Sequence, residues 1–158
     1  MLDRTDTTTA MTEAWLAQFN EALAAGNAAR LKPLFQPDSY WRDVLALTWR
    51  FTTLCGADEI VPAFAALAHK ARLANVRIAA DRAPPRQVAR AGTSAIEAIV
   101  IFETAQGRGN GILRLIADES GAPKAWTLLT ALDEIKGHEE KLGRERPRGE
   151  AYSRDFRG

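Results

Sequence analysis

Apolar residues near the start of the chain recur every fourth place, at Trp15, Phe19 and Leu23. That spacing lays them along one stripe of a helix. Thr12, with Glu13 behind it, suits the N-cap, and Gly26 suits the stop. Residues 27–35 predict a second, poorer helix, because Pro33 removes a backbone donor from its middle. After the turn "QPDS" the period changes to two. In "YWRDVLALTWRF", residues 40–51, Trp41, Leu45, Leu47, Trp49 and Phe51 share one face, while Tyr40, Arg42, Thr48 and Arg50 share the other. The stretch exceeds the usual strand length, so a bend or hairpin is expected near Leu47 or Thr48.

"ADEIVPAFAALAHKARLA" returns to a helical period, with Asp58 and Glu59 early and Lys70 and Arg72 late, as the helix dipole favours. Four strands are then expected, from "NVRIAADRA", "SAIEAIVIFET", "GILRLIAD" and "AWTLLTALDEI". Pro84-Pro85, "AQGRGNG" and "ESGAPK" separate them. Helices followed by a run of strands predict an α+β domain, with the helices on one face of a curved, mainly antiparallel sheet. The boundaries read as a flexible lead over 1–11, a cone-shaped domain over 12–136 and an extended arm over 137–158. The arm mixes both charge signs with Gly and Pro and keeps only Tyr152 and Phe156 as large aromatics.

One residue breaks the pattern. Asp43 lies in phase with the tryptophans of its segment, so its carboxylate is expected to point into the cone with them. Trp15, Phe19, Trp41, Trp49, Leu113 and Trp126 are the other expected pocket residues. The bland reading gives Asp43 a backbone or indole N–H for a partner and makes the aromatics core. The sharper reading makes it a general base. On a pocket reading, Asp43→Asn would alter ligand binding more than stability.

Composition narrows the options. A net charge of +1 supplies no field that selects nucleic acid or an anionic membrane. No apolar run approaches the roughly 18 residues of a membrane span. The polar start "MLDRTDTTTAM" has no signal-peptide core, and the single cysteine, Cys55, has no internal partner, so a cytoplasmic setting is expected. No clustered Cys and His suggests a metal site. Apolar residues occur on both parities of the late strands, as in "AIVIF" and "LLTAL". Both sheet faces are therefore expected to be covered, one by helices and the other by a second subunit.

The phrase "LAAGNAARLKPLFQPDSYWRD" and the order of elements resemble the nuclear transport factor 2-like, or SnoaL-like, superfamily. "WRDVLALTWRFTTLCG", "KAWTLLTALDEIKGHEE" and "RPRGEAYSRDF" resemble more narrowly the N-terminal module of bacterial flavin-containing monooxygenases. The resemblance implies a cone-shaped fold, a small apolar ligand and a flavin-binding domain following in a longer protein. No cofactor is expected in this chain itself. Its only glycine cluster, "GRGNG" at Gly107 to Gly111, has Ile112 in place of the third glycine of the dinucleotide fingerprint, and it reads as a hairpin turn.

Ketosteroid isomerase, whose tuned carboxyl groups are a worked example in protein electrostatics, is the nearest chemical model within that superfamily. By resemblance Asp43 coincides with its general base, but Phe19 and Leu113 stand where its two oxyanion donors belong. Each missing donor costs on the order of 3 kcal/mol of transition-state stabilisation. His69, late in the third helix, and His138, in the arm, are the two histidines. The expectation is an accessory small-molecule module. The alternatives are a stand-alone cyclase, dehydratase or epoxide hydrolase with Asp43 as base, or a purely structural dimerisation domain.

Overall fold

The computed structural model describes residues 4–146, with side chains from residue 7 onward. Helix α1 spans Arg4–Ala24 and α2 spans Ala28–Leu31, capped by Asn27 and followed by a 3-10 turn at Lys32–Leu34 where Pro33 stops it. Strand β1 covers Phe35–Val44, β2 Phe51–Cys55, α3 Ala57–Ala71, β3 Ala74–Ile78 and β4 Arg86–Arg90. Three long strands complete the sheet: β5 at Thr93–Glu103, β6 at Gly107–Ala117 and β7 at Pro123–Ile135.

The seven strands form one sheet in the order β2-β1-β7-β6-β5-β3, with β4 also pairing β5. β1 and β7 run parallel and the other pairs antiparallel. The helices pack on one face, so the domain is α+β and the core lies between helix and sheet. Trp15, Phe19, Ile60 and Phe64 from the helices meet Trp41, Val100, Phe102, Leu113, Leu115 and Leu128 from the sheet there. Among the described residues, no helix is long and apolar enough to cross a membrane.

Several local expectations change. Helix α1 begins at Arg4, so the stretch taken for a loose lead is largely helical and Thr12 is no cap. Thr12 is buried within the helix, where its hydroxyl donates to the Thr8 carbonyl at 2.8 Å. The extension is held from outside, since the Thr8 hydroxyl donates to the Pro85 carbonyl at 2.9 Å. Tertiary contact thus overrides the weak helix propensity of "TTT".

The segment read as one strand from residue 75 ends at Ile78, and β4 is an unexpected fifth strand after α3. Only Val88 in β4 is even partly buried, so the sequence carries little period there.

"GRGNG" is not a turn. It is the first half of β6, paired with β5 and β7. A Cβ at Gly109 would overlap the Phe102 ring, and one at Gly107 would lie 2.6 Å from the Glu134 carbonyl oxygen. Glycine at alternate places lets neighbouring strands and Phe102 close in where β6 and β7 shift register. In the arm, residues 138–146 are exposed and include a 3-10 turn at Gly143–Glu145, while Tyr152 and Phe156 lie outside the described residues.

Candidate functional site

The hairpin foreseen near Leu47 is a six-residue loop, Leu45–Arg50, between β1 and β2. Two of its residues, Leu45 at φ 64° and Trp49 at φ 57°, occupy the left-handed region without being glycine. Each such residue costs on the order of 1–3 kcal/mol unless its surroundings enforce it.

Asp43 is what enforces it. The carboxylate, fully buried, accepts from the Thr48 amide at 2.8 Å, the Thr48 hydroxyl at 2.7 Å and the Leu47 amide at 3.1 Å. On its other oxygen, the Thr130 hydroxyl donates at 2.6 Å. Thr130 in turn accepts from the Trp41 indole N–H at 3.0 Å. The acid lies in phase with the tryptophans because the loop and β7 bring their donors to it. The same burial leaves no free face from which it could meet a substrate.

The other residues named from the sequence separate into three environments. Trp15, Phe19, Trp41 and Leu113 are in the core, at 1% exposure or less. Trp15 stacks on Phe19 with ring centroids 4.7 Å apart, and Trp41 meets Phe64 edge-on at 4.9 Å. The Trp15 indole is satisfied by the Leu34 carbonyl at 2.9 Å. These rings fill the cone where an open pocket was expected. Trp49 and Phe51 lose the buried phase in the loop and are exposed, Phe51 at 71%. Trp126 is half-buried and borders a surface hollow with Asp118 and Lys124.

An open, apolar concavity does exist, at the other end of α1. Met11, Pro84, Pro85, Ile96 and Leu115 line a hollow of about 860 Å³, with Thr7, Thr8, Gln87, Ser94 and Arg86 among its polar residues. Ile96 and Leu115 form its floor and belong to the core behind it. Sequence reasoning missed this hollow because it needs the extended start of α1 and the Pro84-Pro85 loop, neither of which announces itself locally. A smaller hollow of about 280 Å³ lies between the helices, beside the exposed His69 and Arg72 at the end of α3. No hydrogen bond connects His69 with Asp43 among the described residues. Nor do any three His, Cys, Asp or Glu side chains there come together as a metal site.

Neighbouring Arg86, Glu97 accepts from three arginines: Arg86 at 3.1 Å, Arg90 at 3.2 Å and Arg114 at 2.9 Å. Burial acts to raise the Glu97 pKa, but the hydrogen bonds from Arg114 and Arg86 and the arginine charges outweigh it. The carboxyl is held below its ordinary value.

Among solved structures, a protein from Shewanella baltica superposes with a TM-score of 0.55, at 16% identity over 84% of this chain and 98% of its own. A protein from Salmonella enterica serovar Typhimurium gives 0.56, at 12% identity over 90% and 99%. The first is described as NTF2-like and the second as a member of the nuclear transport factor 2 superfamily. The fold is NTF2-like. A third NTF2-like structure, from Novosphingobium aromaticivorans and described as having a cystatin-like fold, agrees at a TM-score of 0.54 and 14% identity, over 84% of this chain and 91% of its own. No family model matches the sequence, and no curated protein matches it. Within this cone the interior is filled by side chains, and an open hollow lies at the start of α1.

Proposed function

We propose that this chain is a ligand-holding NTF2-like module that binds a small apolar molecule in the hollow at the start of α1. The observation that carries the reading is the pairing of a closed cone with an open apolar mouth. Trp15, Phe19, Trp41 and Phe64 fill the interior, and Met11, Pro84, Pro85, Ile96 and Leu115 line the hollow. Concave, mostly apolar sites with a few polar groups are the usual form of small-molecule sites. Asp43 as general base draws no support from its geometry, because its oxygens are committed to Leu47, Thr48 and Thr130. The sequence resemblance to the N-terminal module of flavin-containing monooxygenases supports a place beside a flavin-binding domain.

The experiment is calorimetric titration with decan-1-ol, a neutral apolar probe, on the native chain and on Met11→Trp. Binding to the native chain that is lost when tryptophan occupies the hollow is the expected result. Absence of binding, or binding indifferent to Met11→Trp, contradicts the proposal.

A homodimer through the sheet face opposite the helices belongs to the same reading. Ile99, Ile112 and Leu129 form a cross-strand apolar row on that face, outside the helix-side core. All three are half-buried. The row suits a second copy because the same row on that copy is its own complement across a two-fold axis.

A further inference from the structure

The β4–β5 register sorts the residues around the hollow by face. Gln87 lies opposite Ile96, Ser94 opposite Ala89, and Ile96 opposite Leu115, so Gln87 and Ser94 share the helix-side face with the apolar floor. Arg86 lies opposite Glu97, and Glu97 opposite Arg114, one residue out of phase. Their ion pairs therefore belong to the open sheet face and turn away from the hollow. Arg86 is the one ionisable residue among the described lining, so no charged side chain of that lining serves the hollow itself.

We infer that the ligand is an uncharged alcohol, a hydroxyl on an apolar body, whose hydroxyl is held by Gln87 and Ser94. This rests on the hollow being the ligand site.

The Gln87 side-chain N–H donates to Ser94 Oγ at 2.6 Å across the two strands. That bond ties the two side chains together at the rim, and neither makes another side-chain hydrogen bond among the described residues. Gln87 keeps its carbonyl oxygen as an acceptor, and Ser94 keeps its hydroxyl proton as a donor. Turning the amide over exchanges the two roles and still leaves a donor and an acceptor. A hydroxyl donates and accepts at one atom, so it answers both. An ether can only accept, and covering the pair with hydrocarbon leaves both groups unpaired. A carboxylate can only accept, and it would leave water with no cation to meet it. The apolar body of the ligand lies against Met11, Pro85, Ile96 and Leu115.

The test is calorimetric titration with decan-1-ol, its isomer nonyl methyl ether, and decanoate, all below their solubility and aggregation limits. The chains are the native protein and the double variant Gln87→Met/Ser94→Ala, with folding checked by circular dichroism and Met11→Trp as the control for the hollow. On the native chain the alcohol should bind about fivefold more tightly than the ether, the worth of one neutral hydrogen bond. It should also bind about tenfold or more tightly than decanoate, whose charge goes unpaired. In the double variant, alcohol and ether should bind alike. Equal affinity for alcohol and ether on the native chain, a difference untouched by the double variant, or decanoate bound as tightly as the alcohol overturns this inference. Binding that Met11→Trp still abolishes leaves the hollow reading standing in each of those cases. No binding of any probe overturns both.

Discussion

Asp43 and Thr130 sit opposite one another across the parallel β1–β7 pair, and the Thr130 hydroxyl donates to Asp43 Oδ1 at 2.6 Å. Through that bond the carboxylate links the sheet to a loop with two residues in left-handed backbone. The expectation for Asp43→Asn is accordingly reversed from ligand binding to stability. Asparagine keeps one acceptor oxygen but turns an amide N–H₂ towards groups that are themselves donors. Losing one charge-assisted bond and leaving a buried donor unpaired costs about 3 kcal/mol. Urea denaturation should show the midpoint falling with the slope unchanged.

The acid in phase with the tryptophans could be read from the sequence, because Trp41 and Asp43 lie two apart in β1 and are both buried. Its purpose could not. Thr130 is 87 residues away, and the Leu47 and Thr48 amides reach it only once the loop has turned. The same division holds elsewhere. The stripe Trp15, Phe19 and Leu23 identified α1, but its first turns are held by Pro85 and could not be read locally. Glycines that look like a turn in sequence serve close approach by Phe102 and β7, which only the paired sheet reveals.

Gly109→Ala tests that account of β6. The new Cβ would overlap the Phe102 ring and lie 2.5 Å from the Ala131 carbonyl oxygen. Overpacking of this kind costs about 1–3 kcal/mol. Thermal unfolding should show the loss, and adding Phe102→Leu should recover only part of it, because the backbone clash remains. A neutral Gly109→Ala would contradict the close approach.

Glu97 makes stability depend on acid pH. Its folded pKa lies below the ordinary value of a glutamate, so the unfolded chain binds a proton first as pH falls. The stabilisation is complete above that unfolded value, declines as pH drops through it, and is gone below the folded pKa. Glu97→Gln should lower stability at neutral pH and flatten the acid limb of the stability curve. An unchanged acid limb would show that the three arginines do not act on this carboxyl.

Ile112 is central to the apolar row on the open sheet face, between Ile99 and Leu129. Ile112→Lys should convert the proposed dimer into a folded monomer, read by sedimentation at micromolar concentration. A native chain that sediments as a monomer would contradict the dimer outright.

The central claim is that the cone interior is closed and the ligand enters at the start of α1. The most direct measurement is a titration of the ¹⁵N-labelled chain with decan-1-ol, followed by NMR. The two indole N–H groups of the core, Trp15 bonded to Leu34 and Trp41 bonded to Thr130, report on the interior. The amides of Met11, Gln87 and Ile96 report on the hollow. The Met11, Gln87 and Ile96 amides are expected to shift while both indole signals stay in place. Shifts of the Trp15 and Trp41 indoles, with the hollow amides unmoved, would contradict it.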